Sequence, residues 1–339
     1  MIEGRTMQGN GEHPANDSKV AADARAAGFA SPFDRAAWFD LLEAHGFAGE
    51  GRVDMRGDSG DVTAWLPLRR DKAGHFAGLT NWYSFSIRPL FRGEGNHAAA
   101  LADLFSRLRQ QAARLSLYPV PDADQGSIAA ALRTAGWWVK AAPAGDRHWL
   151  DLSDMDHDSW WDSRPGALKN TVKRKAKKGI VDLALFSTFD AEAWAAYETI
   201  YAASWKPEEG DPALLRAFAE AESARGTFRM GLAGIEHQPV AAQFWTVEDG
   251  TAFIHKLAHV EDSLKASPGT LLSAALFHHV INFDRVQRVD FGTGNDAYKR
   301  DWMNRHEPLW RIEAFNPSRV AAWGPALKAF GRSMLGKKP

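Results

Sequence analysis

The residues best placed to do chemistry form a short segment, Ser267-Pro268-Gly269-Thr270, at the start of an apolar run. Proline fits the first turn of a helix because the N–H that it lacks would have no partner there, and Ser267 is a suitable cap. The free N–H groups of Gly269, Thr270 and Leu271 would then point at an anion, with the positive end of the helix dipole behind them. The segment therefore predicts a phosphate-binding helix start.

A second chemical segment follows about twenty residues later, where an apolar strand ends at Gly292-Thr293-Gly294 and Tyr298 and Lys299 come next. Residues 292–297 match the dinucleotide fingerprint G-x-G-x-x-A. That fingerprint opens a Rossmann domain, whereas here too little chain follows for the remaining βαβ units. We therefore interpret this segment as an active-site strand that pairs with the helix start, and not as a nicotinamide-dinucleotide site.

Together these segments resemble the GNAT superfamily of acyl-CoA N-acyltransferases. The similarity is to its CelD-like branch, and it rests on a basic helix from Arg164 to Lys178, the run 267–272 and the run 290–302. That branch in turn resembles the Fem-type peptidyltransferases. A bacterial ceramide synthase is one kind of enzyme that the resemblance leads us to expect. The resemblance covers roughly residues 160–315. In the usual pyrophosphate signature, Gln/Arg-x-x-Gly-x-Gly/Ala, only Gly269 stands in a matching place.

The resemblance implies an α/β fold with a mixed sheet, in two tandem copies of which the first is degenerate. We expect a tag remnant and a disordered segment over residues 1–24, a first domain over 25–150, a catalytic domain over 151–316 and a basic amphipathic helix over 317–339. Hydrophobic periodicity predicts the same order. It gives helices over 33–46, 96–113, 127–135, 157–178, 191–205, 212–225 and 297–304 and one that begins at 268, and strands over 52–55, 63–69, 82–88, 114–118, 137–139, 181–187, 227–233, 240–247, 251–259, 288–291 and 308–315.

By the same resemblance, the co-substrate is acyl-CoA or an acyl carrier protein thioester, with no prosthetic group. The donor-binding residues would lie on the thioester-carrying strand, at the helix start and after the second strand. They are Leu257, His259, Val260, Lys265, Ser267, Pro268, Gly269, Thr270, Leu271 and Lys299. Backbone donors near residues 257–259 would hold the oxyanion that develops during acyl transfer.

Three residues are candidates for catalysis. The resemblance places His255 on the thioester-carrying strand, where it would take a proton from the amine, and it places Tyr298 where a phenol would protonate the departing thiolate. Asp290 would hold the amine. A satisfied core histidine and simple packing of the tyrosine are the alternatives. Because the chain contains no cysteine, direct attack by the amine is favoured over an acyl-enzyme.

The pair His255 and His259 has the i, i+4 spacing that suits metal ligands on a helix. Their segment is predicted as a strand, in which that spacing separates two residues by about 13 Å. We therefore predict no metal site.

The acceptor side is indicated by basic and aromatic residues. A run of basic residues without a neighbouring acid comprises Arg164, Lys169, Lys173, Arg174, Lys175, Lys177 and Lys178. Like charges destabilise a helix, so an anionic partner is indicated, although a solvated face is the alternative. We assign Arg164, Lys173 and Trp205 to substrate binding. The favoured acceptor is an amphipathic lipid amine such as a sphingoid base. The alternatives are Fem-type aminoacyl transfer from tRNA and a non-catalytic protein that binds lipid or CoA.

Composition limits the other partners. The chain has 339 residues, 45% of them hydrophobic, and a formal net charge of −1, which gives no overall attraction to nucleic acid. No apolar segment of about 18 residues and no apolar signal core is present. We expect a cytoplasmic protein, with the inner membrane face as a peripheral site. The tail after Pro317 is basic and amphipathic, so it predicts either a helix docked on the core or one on a membrane surface.

Overall fold

The computed structural model describes residues 31–47, 51–71 and 74–334. The predicted tag remnant and disordered segment lie outside these residues. The first half begins with a 3-10 turn at Pro32–Asp34 and has helices α1 (Ala36–Gly46), α2 (His97–Gln111) and α3 (Asp122–Thr134). Its strands are β1 (Gly51–Ser59), β2 (Val62–Arg70), β3 (His75–Gly78), β4 (Leu90–Arg92), β5 (Arg114–Val120) and β6 (Trp138–Asp151).

The second half follows β6. Its helices are α4 (His157–Asp162), α5 (Gly166–Ala176), α6 (Ala191–Ala202), α7 (Pro212–Ala224), α8 (Pro268–Asn282), α9 (Lys299–Trp302) and α10 (Trp323–Met334). Its strands are β7 (Val181–Phe186), β8 (Phe228–Ile235), β9 (Gln238–Glu248), β10 (Thr251–His259), β11 (Arg288–Thr293) and β12 (Arg305–Phe315). Two 3-10 turns, Glu261–Ala266 and Val320–Ala322, precede α8 and α10.

The described strands form one mixed sheet in the order β1-β2-β3-β5-β12-β6-β11-β10-β9-β8-β7, with β4 paired to β2. Each half contributes one parallel pair, β3 with β5 and β10 with β11. The predicted mixed α/β sheet is therefore confirmed, and its strand order repeats from one half to the other. Because the sheet runs through both halves, the domain limits near residues 150 and 316 stay a prediction.

The two halves exchange their inner strands. β12 lies beside β5, and β6 lies beside β11, so each half receives a strand from the other. β6 and β12 also pair with each other, antiparallel, from Arg305 opposite Trp149 to Phe315 opposite Trp138. This exchange joins the halves through backbone hydrogen bonds as well as through side-chain packing.

Alternation along β9 and β10 divides the core between the two sheet faces. Phe244 and Phe253 belong to the cluster that α6 and α7 cover, whereas Trp245 and Ile254 belong to the cluster under α8. The first cluster continues into the first half through Phe33. Because helices cover both faces of the second-half sheet, its open side is at the ends of its strands.

Residues 82–88 were expected to form a strand, which is wrong. The side chain of Asn81 accepts a hydrogen bond from the Tyr83 N–H at 3.0 Å, which begins a turn. The segment that follows is irregular, and its aromatic side chains leave the first-half sheet. Tyr83 reaches Glu209, and the ring of Phe85 lies 5.4 Å from that of His255. The alternation of large and small residues therefore reflects packing against the second half.

The single helix expected over residues 157–178 is also wrong. α4 ends at Asp162, and α5 starts at Gly166 after Pro165. Proline has no N–H to donate and disfavours helical geometry in the residue before it, so the helix breaks there. α5 keeps the basic residues, and most of its surface is exposed.

The C-terminal helix α10 has two apolar sides. Phe330 and Ala326 pack with Phe315, so one side docks on the protein. The other side, continued by the preceding turn, leaves Val320, Trp323 and Leu327 between 51% and 78% exposed. Among the described helices, none is long and apolar enough to cross a membrane.

Candidate active site

The frame of the site is the parallel pair β10 and β11. These strands pair only over residues 251–253 and 288–290. Beyond that point β10 stays beside β9 up to His259, whereas β11 follows β6 up to Thr293. The two strands therefore separate and leave a V-shaped cleft, which we call the β10–β11 cleft.

The backbone of β10 presents hydrogen-bond donors to this cleft. A β-bulge at His255 shifts the pairing with β9, after which Ala258 lies opposite Ala242 and Val260 donates to the Val240 carbonyl at 2.9 Å. Because pairing direction alternates along a strand, the N–H groups of Leu257 and His259 point away from β9 and into the cleft. They lie where the oxyanion donors were expected, and that role stays a prediction.

Helix α8 starts beside the end of β10. A Cβ on Gly269 would lie 3.6 Å from the His259 Nδ1 atom and would meet no backbone. The Gly269 and Thr270 N–H groups have no partner among the described residues, as expected for an anion site. Leu271 differs, since its N–H donates to the Ser267 carbonyl at 3.1 Å. The capping role expected of Ser267 is wrong, because this residue has a left-handed φ of 56° and its side chain makes no capping hydrogen bond.

Several expected residues meet at the mouth of the cleft. The rings of Trp205 and His259 lie 4.4 Å apart. Burial, and then the charge of Lys206, lower the pKa of His259. The exposed Lys265 offers its carbonyl to Lys175 Nζ, which brings the basic helix α5 to the start of α8, and Lys173 is exposed on the same helix. A basic surface therefore adjoins the two free N–H groups.

Tyr298 and Lys299 follow β11. Tyr298 is 40% exposed, and its ring meets that of Phe291 edge-on at 5.5 Å. Burial, and then the charge of Asp296, raise the pKa of Tyr298, so the phenol keeps its proton at neutral pH. Lys299 is buried, and its Nζ donates to the carbonyls of Thr293 at 2.6 Å and Phe291 at 3.3 Å. These bonds give Lys299 a structural use in place of the expected phosphate contact.

Asp290 does not fit the expected contact with an amine. Its side chain has no exposure and forms an ion pair with Arg147 of β6, whose Nε donates at 2.9 Å. It also accepts the Gly292 N–H at 2.9 Å. Burial alone would raise the pKa of Asp290, but Arg147 and these donors outweigh it and hold the pKa below its usual value. The residue fixes β11 to β6.

His255 lies within a group of aromatic rings. The rings of Phe244 and Phe218 are 5.0 Å and 5.1 Å from it, and its Nε2 lies 2.8 Å from Thr246 Oγ1. Burial lowers the pKa of His255 to about 3. The imidazole is therefore neutral and a very weak base, which matches the alternative of a satisfied core histidine better than proton transfer.

Arg164 was expected to bind substrate, but it is buried. Its guanidinium donates to the carbonyls of Trp160 at 3.3 Å and Met303 at 2.9 Å, and to Ser163 Oγ at 2.9 Å. It therefore ties α4 to the end of α9 and has no donor directed at a ligand. Within the described ranges, no group of three or more His, Asp or Glu residues could hold a metal ion.

Sequence analysis missed an acid that links the two halves at the cleft. Glu209, in the α6–α7 loop, accepts hydrogen bonds from Tyr83 at 2.5 Å, Lys256 at 2.8 Å and Tyr197 at 3.1 Å. Lys256 follows the bulge on β10. The sequence signal available for Glu209 was the polar loop 206–211 beside Trp205, but the residues that Glu209 binds are distant in sequence.

Two cavities of similar size adjoin this region. One, of about 610 Å³, lies between α6 and α7 and is lined by Glu209 and Lys206. The other, of about 620 Å³, lies on the open face of the first-half sheet and is lined by Arg114, Arg311 and, from β11, Thr293. The loop around Tyr83 lines the second cavity through Asn81, Trp82 and Ser84, and Glu209, which Tyr83 binds, lines the first.

Comparison with known proteins indicates which family the second half resembles. Residues 167–300 match the family model described as an acetyltransferase (GNAT) domain. A search of curated proteins found no match. The solved structure of FemX is 10% identical, with a TM-score of 0.66, covering 94% of this chain and 98% of that one. The structure of L-PGS from Bacillus licheniformis is 13% identical, with a TM-score of 0.56, covering 96% and 99%. At these identities the two structures show a shared fold. The family match lies within the segment that the resemblance marked, and it contains the β10–β11 cleft and the start of α8. Over residues 167–300 the chain matches a GNAT acetyltransferase domain, and the protein is an acyltransferase.

Proposed function

We propose that the protein transfers an acyl group from acyl-CoA, or from an acyl carrier protein thioester, to a primary amine in the β10–β11 cleft. The observation that carries the proposal is the separation of β10 from β11, which directs the N–H groups of Leu257 and His259 into the cleft. A thioester carbonyl placed there would meet donors suited to a developing oxyanion. GNAT domains use acyl-CoA as their co-substrate, which supports this donor.

The donor phosphates would bind at the start of α8. The N–H groups of Gly269 and Thr270 are available, and the helix dipole favours an anion there. Lys175 and Lys173 of α5 add positive charge beside this point. Trp205, whose ring lies against that of His259, would cover the pantetheine arm where it enters the cleft.

In the transfer step, the amine nitrogen attacks the thioester carbonyl carbon and the C–S bond breaks. The chain has no cysteine to carry the acyl group, so direct attack is proposed. Tyr298 would protonate the departing thiolate, because its phenol carries a proton at neutral pH.

For the acceptor, we propose an amphipathic lipid amine, of which a sphingoid base is one example. The exposed apolar residues Val320, Trp323 and Leu327, with Arg319 and Lys328 on the same segment, would suit an anionic membrane surface. The fold shared with L-PGS is compatible with this acceptor. The protein would then work on the inner face of the membrane as a peripheral enzyme.

The test is calorimetric titration of the purified protein with acyl-CoA, followed by measurement of free thiol after addition of a primary amine. We expect saturable binding and amine-dependent thiol release. Binding without release in the presence of any amine would favour a non-catalytic CoA-binding protein. Loss of activity after ribonuclease treatment would favour Fem-type transfer from tRNA.

A further inference from the structure

The cavity between α6 and α7 is linked to β10 by Glu209, which lines it and binds Lys256, and by Lys206, whose charge acts on His259; what the cavity does rests on the function proposed above. Its volume of about 610 Å³ is that of a small-molecule pocket. Its walls are mostly aromatic and acidic. They include the rings of Trp194, Tyr197 and Tyr201 and the carboxyl groups of Glu198, Glu208 and Glu209. An amine with an apolar body would find rings for its body and carboxylates for its charge.

Lys206 is the residue with an amine side chain among those that line the cavity. Its Nζ lies over the rings of Trp205 at 5.7 Å and Tyr201 at 5.9 Å. No carboxylate lies within ion-pair distance of it among the residues that the structure describes. Glu209 is a wall of the same cavity, but its two oxygens already accept from Tyr83, Lys256 and Tyr197. Lys206 is therefore a half-buried amine without a bound counter-ion.

The surroundings of Lys206 favour its neutral form. Burial, and then the nearby charge of Lys256, lower the pKa of Lys206 to about 8. With that value roughly a quarter of the side chains are neutral at pH 7.5, compared with about one in a thousand for an ordinary lysine. A base is most effective when its pKa lies near the working pH. Lys206 meets this condition in the described structure.

The other basic groups around the cleft are less suitable. His255 has a pKa of about 3 and is bonded to Thr246. Lys256 is held by Glu209, and Lys299 by two carbonyls. His259 lies with its ring 4.4 Å from that of Trp205, and burial lowers the pKa of His259 as well.

We propose that neutral Lys206 is the catalytic base of the reaction, with the acceptor amine held in the α6–α7 cavity beside it. The acceptor nitrogen donates its lone pair to the thioester carbonyl carbon, forming the C–N bond while the C–S bond breaks. The proton that this nitrogen then sheds passes to Lys206 Nζ, and the thiolate takes its proton from Tyr298. Between turnovers Lys206 returns its proton to water and the Tyr298 phenolate takes a proton from water. The acceptor class is a primary amine attached to an apolar body.

The first arm of the test measures the side chain itself. The rate at which acetic anhydride labels each lysine is followed by mass spectrometry as the pH is raised. We expect the Lys206 rate to rise with a midpoint near pH 8, well below the value of about 10.4 for an unperturbed lysine. A Lys206 midpoint near that unperturbed value would overturn the proposal.

The second arm measures turnover of acetyl-CoA with 2-phenylethylamine and with dodecylamine as probes. Lys206→Met and Lys206→Arg should each lower kcat about 100-fold, leave acetyl-CoA affinity unchanged, and remove the rise in rate near pH 8. Lys140→Met, on β6, is the matched control and should retain the wild-type profile. Unchanged profiles in both Lys206 variants would overturn the base assignment while leaving the acyl transfer intact. Failure of the wild type to bind acetyl-CoA would instead overturn the proposed function.

Discussion

Replacing Asp290 by asparagine should destabilise the fold by a predictable amount. The carboxylate is fully buried, and the Arg147 side chain that it neutralises is 13% exposed. Removing one partner of a buried ion pair costs about 3–5 kcal/mol, because the other charge is left uncompensated. Glu307 Oε1 remains 3.4 Å from Arg147 Nη1. We therefore expect the low end of that range, about 3 kcal/mol of unfolding free energy.

Urea unfolding at neutral pH measures this change, with an unchanged slope as evidence that the unfolding reaction is the same. Asp182→Asn, on the exposed edge strand β7, is the matched control. It should alter the free energy of unfolding by no more than about 0.5 kcal/mol. If the two variants differ by less than about 1 kcal/mol, the Asp290–Arg147 pair contributes far less than its burial implies.

The same variant has a predictable pH dependence. The folded-state pKa of Asp290 is below its usual value. The stabilisation is therefore complete above the unfolded pKa of about 3.9 and is lost as the pH falls through the folded-state value. The difference between wild type and Asp290→Asn should stay constant from about pH 5 to 7 and narrow below about pH 4. A difference that widens on acidification would refute the assignment of a charged Asp290.

Three further outcomes follow from the site. Gly269→Glu should abolish acyl-CoA binding in calorimetry while leaving the fold intact, because a Cβ has room there and a carboxylate would repel the phosphates; unchanged affinity would remove the anion site from α8. Tyr298→Phe should lower kcat with little change in CoA affinity, because a proton donor to the thiolate acts in the transition state; wild-type turnover from pH 6 to 9 would leave Tyr298 a packing residue. Trp323→Ala with Leu327→Ala should weaken co-sedimentation with anionic vesicles at low salt without unfolding the protein, since both side chains are more than half exposed; equal sedimentation with neutral vesicles would contradict a membrane contact that includes α10.

The sequence was most informative where local residues decide the structure. Pro268 starts α8 wherever the rest of the chain lies, because proline is favoured in a first helical turn. Pro165 breaks a helix for an equally local reason, which the basic periodicity concealed. The segment 82–88 misled because strand packing and inter-half packing produce the same alternation of residues.

The parts that could not be predicted depend on which strands become neighbours. Glu209 binds Tyr83 and Lys256, which are far from it in sequence and meet only because the halves share one sheet. The sequence around Asp290 does not indicate its partner Arg147, because β6 belongs to the first half in sequence but lies beside β11 in space. Burial of Lys206 likewise depends on this arrangement.

Because β6 and β12 are exchanged, the first half cannot complete its sheet until a strand that is translated late has been made. Trp138 of β6 is translated long before its partner Phe315 of β12, so the emerging first half has an unfilled place between β5 and β6 until β12 has been translated. Such late, long-range pairing slows folding and leaves strand edges open to wrong partners. A gene cut near residue 151 would give two fragments that each lack an inner strand and that need each other to fold. The two halves can diverge in sequence, but neither can fold and function without the other.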